Sequence, residues 1–113
     1  MTTARAELVL WAAQRVTAVF LAGFVLVHLV TIVYAVRGGL TAAAILARTH
    51  ASIAWPAFYA LFVLAAAVHG AIGLRTIAAE WLGWRGRGAD LSIAAIGLAL
   101  AVLGLRAVAA VAA

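Results

Sequence analysis

The sequence predicts an all-α membrane protein, with three transmembrane helices that form part of a multi-subunit helix bundle. Composition is the first reason. Of 113 residues, 69% are hydrophobic and 10% charged, and the mean hydropathy of +1.22 lies outside the range of soluble domains. Length of the apolar runs is the second. Stretches at about 11–36, 56–79 and 91–111 each reach the roughly 20 helical residues that cross a bilayer. The third is periodicity: none of the three alternates polar and apolar residues as a barrel strand does. Spanning helices, whose backbone groups pair internally, are what remains. Residues 1–113 read as one anchor domain without repeat or low-complexity tail.

A net charge of +5 in a soluble chain would suggest nucleic acid. Here the arginines flank the apolar spans, so the partner surface is membrane lipid and nucleic acid is excluded. Arg5, Arg15, Arg75, Arg85 and Arg87 fall in the N-terminal segment and second loop, against Arg37, Arg48 and Arg106 on the other side. That asymmetry places the N-terminus and the Glu80 loop inside, at a bacterial cytoplasmic membrane, and the C-terminus outside. The chain has no cysteine, which excludes disulfides and iron–sulfur ligation by its own residues. The first apolar span exceeds a signal-peptide core and reads as retained.

Helix one opens near Trp11, an interfacial aromatic. At 100° per residue, Gln14, Thr17, His28 and Thr31 share a stripe about 100° wide, which should face protein or a cavity. Arg15 lies about 140° from His28 and can snorkel to the inner surface. The first loop starts at Arg37-Gly-Gly, and Thr41 to Leu46 suits a short interfacial helix. His50, among Arg48, Thr49 and Ser52, reads as a solvated residue. Trp55-Pro56 marks the start of helix two, with proline at the first helical position.

Helix two carries the densest signal. Phe62, Ala65, Ala66, Gly73, Thr76 and Glu80 all fall within about 60° of His69. Small residues beside the imidazole leave room for a flat group, although close helix packing uses the same device. The histidine favours a site, because an unpaired imidazole in hydrocarbon is costly. The second loop, from Glu80 to Asp90, mixes tryptophan, arginine and glycine and reads as a membrane-surface or partner-contacting loop. Helix three carries Gly97, Ala101 and Gly104 at packing intervals and reads as structural, with Arg106 snorkelling outward.

Few groups here can do chemistry. There is no nucleophile–base pair, no paired carboxylate and no phosphate-cradling loop, so no catalytic residue is assigned. Two histidines inside apolar helices suit axial ligation of haem iron. Arginines near the surface suit haem propionates, as for Arg75, or a quinone carbonyl. The residues therefore point to an electron-transfer membrane subunit carrying haem b.

At this point a resemblance enters. Gln14-Arg15-Val-Thr-Ala-Val resembles the His-Arg-x-Ser/Thr-Gly-Val element of succinate dehydrogenase and fumarate reductase cytochrome b anchor subunits. His69-x-x-x-Gly73-Leu-Arg75, with Glu80 five residues on, resembles their helix-two His-x-x-x-Gly-Ile-Arg element and its downstream acid. The resemblance implies that His69 is an axial haem ligand and that Arg15 and Glu80 border a quinone pocket. Two positions depart from the pattern. Trp11 replaces the serine that contacts quinone, and Thr76 replaces a second histidine that helps hold a propionate in some members. His28-Leu-Val is similar to the first-helix haem ligand of the five-helix, two-haem relatives, so His28 is the candidate second ligand.

What this implies is the haem b-binding membrane anchor of a succinate:quinone or quinol:fumarate oxidoreductase. It would dock an iron–sulfur subunit joined to a flavoprotein subunit, and would exchange electrons with quinone. A second small membrane subunit would complete the His69 haem. Counting from the expected outer helix ends puts His28 and His69 at depths differing by about 6 Å, a poor arrangement for one shared iron. Two other readings stay open. In a cofactor-free assembly subunit the histidines hydrogen-bond across helices. A small multidrug-type transporter should show four spans and a carboxylate in the first.

Overall fold

The computed structural model describes residues 3–39, 41–50 and 52–112. It holds three long helices and one short one: α1 Ala4–Gly38, α2 Ala42–His50, α3 Ala54–Leu82 and α4 Arg87–Ala112. All three long helices are long and apolar enough to cross a membrane. No strand occurs among the described residues.

Each long helix runs past the span expected from hydropathy, because capping extends it beyond the apolar run. Thr3 caps α1, its hydroxyl accepting from the Ala6 N–H at 3.2 Å, and Glu7 suits the positive end of the helix dipole. The helix ends at Gly39 with φ +94, a conformation open to glycine. α3 starts two residues before Pro56, which sits in its first turn, where a missing N–H costs nothing. It ends at Gly83 in the left-handed region (φ +63), with the Trp84 N–H donating to Ala78 O at 2.9 Å. Glu80 therefore belongs to the last turn of α3, and Arg87 to Asp90 form the first turn of α4. The loop between them shrinks to four residues, 83–86.

α3 is the central helix, with α1 on one side and α4 on the other. The α3–α4 contact is made by small residues, as glycine spacing in the third span predicted. A Cβ at Gly97 would stand 2.9 Å from the Ala71 Cβ, and one at Gly104 would collide with the Val63 side chain. Val63 is β-branched and cannot easily turn away. Gly104→Ala should therefore destabilise the helix pair by about 1 kcal/mol through overpacking. A lower thermal midpoint in detergent would show it, and Val63→Ala should rescue it.

α1 meets α3 through aromatic rings. Phe24 lies 5.2 Å from Phe58 and 5.8 Å from Phe62, centroid to centroid. α2 is fastened to the bundle by Thr49, which is 5% exposed and whose hydroxyl donates to Val111 O at 2.6 Å. It is longer than the short interfacial helix expected from Thr41–Leu46, and His50 at its end is exposed. Among the described residues the buried apolar set is only Ala35, Ala67, Ala78, Ala89 and Ile93. Large side chains such as Val19, Leu26, Val30 and Leu98 point outward. So thin an interior leaves most of the apolar surface to lipid and to other chains.

Candidate functional site

The polar stripe of α1 turns toward α3, as its spacing predicted. Thr17 Oγ1 lies 3.2 Å from His69 Nδ1, and Gln14 Nε2 would lie 3.5 Å from a Cβ at Gly73. The glycine thus leaves the groove into which Gln14 fits. Thr31 keeps to its own helix, donating to His28 O at 2.7 Å.

The hydrogen bonds around Thr17 set the tautomer of His69. A hydroxyl has one proton, and Thr17 places its oxygen 2.7 Å from Ala13 O. With its proton committed there, the Thr17 oxygen accepts, and His69 donates Nδ1–H. Nε2 is then the ring nitrogen with the free lone pair, and it meets no hydrogen-bonding group among the described residues. A neutral imidazole oriented through its other nitrogen is the usual state of a metal-ligating histidine. The small residues expected beside it, Ala65 and Gly73, are on the same half-covered face. No group of three or more His, Cys, Asp or Glu capable of holding a metal ion occurs among the described residues. A single oriented imidazole suits a group that brings further iron ligands of its own, as haem does.

His28 is elsewhere. Its ring meets Phe62 at 5.5 Å and Tyr59 at 6.0 Å, both edge-on. Its Nδ1 is buried without a hydrogen-bond partner, as is Gln14 Oε1. His28 lines a cavity of about 450 Å³ with Tyr59, Phe62, Ala66, Gly104 and Val108. Thr17, which faces His69, lies eleven residues before His28 on α1. At 1.5 Å per residue that is about 16 Å of depth. The separation expected from counting helix ends, about 6 Å, is too small. Counting from the helix ends assumes that α1 and α3 end level, and their packing sets a different register. The two imidazoles cannot reach one iron.

Arg75 has charged neighbours within the chain. Its Nη2 meets Glu7 Oε1 at 3.0 Å and its Nε meets Asp90 Oδ1 at 2.9 Å. Two carboxylates, from α1 and α4, meet it, so this guanidinium joins the three long helices at one end. Beside it opens a cleft of about 330 Å³ lined by Glu7, Arg75, Trp84, Arg85 and Asp90. Neither Arg15 nor Glu80 lines that cleft. The Arg15 guanidinium sits 4.2 Å over the Trp11 ring, and both are exposed. On α1, Arg15 falls about 160° and Trp11 about 120° from Thr17, on the face turned away from α3. Glu80 is exposed on the last turn of α3. The structure thus does not bring Arg15 and Glu80 into one pocket of this chain.

Thr17 and the Glu7–Arg75–Asp90 cluster were missed as functional partners from sequence. Thr17 was already on the polar stripe, so its role was half visible. The ion cluster joins positions 68 and 15 residues apart, and no local spacing signals it.

In comparison with known proteins, the family described as succinate dehydrogenase/fumarate reductase transmembrane subunit matches residues 1–107. No curated protein and no solved structure matches the chain.

Proposed function

The chain belongs to the succinate dehydrogenase/fumarate reductase transmembrane subunit family, and from that premise we propose that it is the haem b-binding anchor of such a complex, passing electrons to or from quinone. It is an integral membrane protein by its three spans and its family. The observation that carries the cofactor reading is His69, oriented by Thr17 with Nε2 left for iron. Haem b, when bound, would supply a one-electron relay inside the membrane. The chain's part is to orient the imidazole, keep the tautomer, and exclude water with the apolar faces of α1 and α3. A second small membrane subunit would supply the other residue that holds the haem. The iron–sulfur subunit, carrying the flavoprotein subunit, docks at the end that holds the N-terminus and Glu80, on the inner face of a bacterial cytoplasmic membrane. His28 is the candidate ligand of a second haem.

The test is the reduced-minus-oxidised visible spectrum of the purified complex, in which a b-type band is expected. A second reading is favoured by the same Thr17–His69 hydrogen bond: a cofactor-free anchor in which that bond is the whole role of His69. A complex without the band would establish it. Within the haem reading, Thr17→Val removes the acceptor that holds Nδ1–H. Haem affinity should fall about tenfold, the low end for loss of a partner behind a metal ligand. The reduction potential should rise, because a less basic imidazole favours the oxidised iron less. Thr17→Ser should restore both.

Arg15 and Glu80 are proposed to border quinone, with Trp11 beside them. Since Arg15 and Trp11 lie on the outward face of α1, that pocket is completed by a partner chain. Arg15→Ala and Glu80→Gln should slow quinone reduction by about tenfold or more and weaken inhibitor binding, the scale expected when a positioned charge-assisted hydrogen bond is lost. Unchanged kinetics in both variants would leave the two residues as anchors of the helix ends.

A further inference from the structure

The far end of the bundle carries a charged site beside the His28 cavity, with Arg48 on the border of both. Arg37, in the last turn of α1, and Arg48, in the last turn of α2, line one pocket of about 740 Å³ with Tyr34, Ala35, Gly38, Gly39, Ala44 and Ala47. The Arg48 guanidinium lies 5.2 Å over the Tyr34 ring, which fixes it against that wall. Gly39, at φ +94, turns the chain so that α2 folds back beside the end of α1. Two full positive charges thus face a common space. Each also offsets the negative end of its own helix dipole, which carries only about half a charge.

No acidic side chain can balance them. The protein has three, Glu7, Glu80 and Asp90. Glu7 and Asp90 are held by Arg75 at the opposite end, and Glu80 lies in the last turn of α3 at that same end. Glu7 precedes Arg37 by thirty residues on one helix, about 45 Å, several times the screening length of about 8 Å at physiological salt. With no acidic side chain near it, the pocket is open to an anion supplied from outside the chain. The pocket opens at the end of a spanning helix, where the headgroups of the bilayer lie. Below it, Val30 and Val33 on α1 are exposed and present an apolar wall to acyl chains.

We infer that this pocket binds the phosphate of an anionic phospholipid headgroup in the leaflet opposite the N-terminus, with Arg37 and Arg48 as its counter-charges. Guanidinium groups suit phosphate because their planar fork can donate two hydrogen bonds to it. The site would hold α2 against the bundle from outside, as Thr49 does from within. Arg48 also lines the His28 cavity, so the b-type band is measured in the same variants to keep this inference apart from the haem reading.

The experiment titrates the intact complex in mild detergent with phosphatidylglycerol and, separately, phosphatidylcholine, counting bound lipid by native mass spectrometry. Arg37→Gln/Arg48→Gln should weaken phosphatidylglycerol binding about thirtyfold and leave phosphatidylcholine unchanged. Arg37→Gln alone, an exposed position that carries no packing, should weaken it about fivefold. Arg87→Gln, at the other end, should have no effect. Equal phosphatidylglycerol affinity in all variants would overturn the inference. Displacement of the lipid by inorganic phosphate at equal concentration would overturn it too, identifying a free-anion site. Unchanged lipid binding with loss of a b-type band would show that the anion is a pigment carboxylate, which also overturns it.

Discussion

His69→Ala should remove one haem completely from the complex while leaving the subunits assembled. The imidazole sits on α3 within a face of small residues, held by a single hydrogen bond from Nδ1 to Thr17. Alanine there removes a ligand and leaves the α1–α3 contact to the aromatic set Phe24, Phe58 and Phe62. The measurement is haem per complex, by pyridine haemochrome, beside the mass of the isolated assembly. His28→Ala is the partner experiment. His28 lies about 16 Å from His69 in depth, so that variant should keep the His69 haem and lose a different one. A single haem lost equally in both variants would break the assignment, as would an unchanged spectrum in His69→Ala.

Arg75→Ala should produce the largest loss of stability, about 2 kcal/mol. Its guanidinium bonds to Glu7 on α1 and Asp90 on α4 from its own place on α3, so one side chain joins all three spans. Charge-assisted hydrogen bonds are worth more than neutral ones. The side chains are 27%, 51% and 31% exposed, however, so solvent screening brings each bond toward the range of surface pairs. Thermal unfolding in detergent at low and high salt separates this from ordinary packing loss. The parent should lose stability with salt, and Arg75→Ala should be both less stable and insensitive to it. Arg75→Lys should be intermediate, since a compact ammonium cannot fork between the carboxylates as a guanidinium does. The same thermal midpoint and salt dependence in parent and variant would dismiss the clamp.

Much of this protein was decided by features that act over a few residues. Hydropathy and length set three spans, because a backbone in hydrocarbon must satisfy itself within each helix. Helical periodicity put Gln14 and Thr17 on the face that meets α3, and put Gly73 on the His69 face of α3. Glycine spacing in α4 indicated the close approach that Gly97 and Gly104 make to α3. These are local regularities, and the sequence by itself determined them. It also carried the resemblance that the family match over residues 1–107 supports.

Tertiary structure decided the register between helices and the partners of the charges. The depth of His28 relative to His69 depends on where each helix ends and how α2 folds back, and periodicity is blind to a slide along the axis. Caps at Thr3, Gly39 and Gly83 lengthened the helices beyond their apolar runs, and the slide of α1 against α3 set the depth between the two histidines. The partners of Arg75 come from two other helices, so its place as a clamp was not visible in the sequence. The outward turn of Arg15 and Trp11 had the same origin: the wheel gives their angle to Thr17, but only packing shows that Thr17 faces α3. Sequence sets what each helix can present, and the packing of one helix against another sets what each presented group meets.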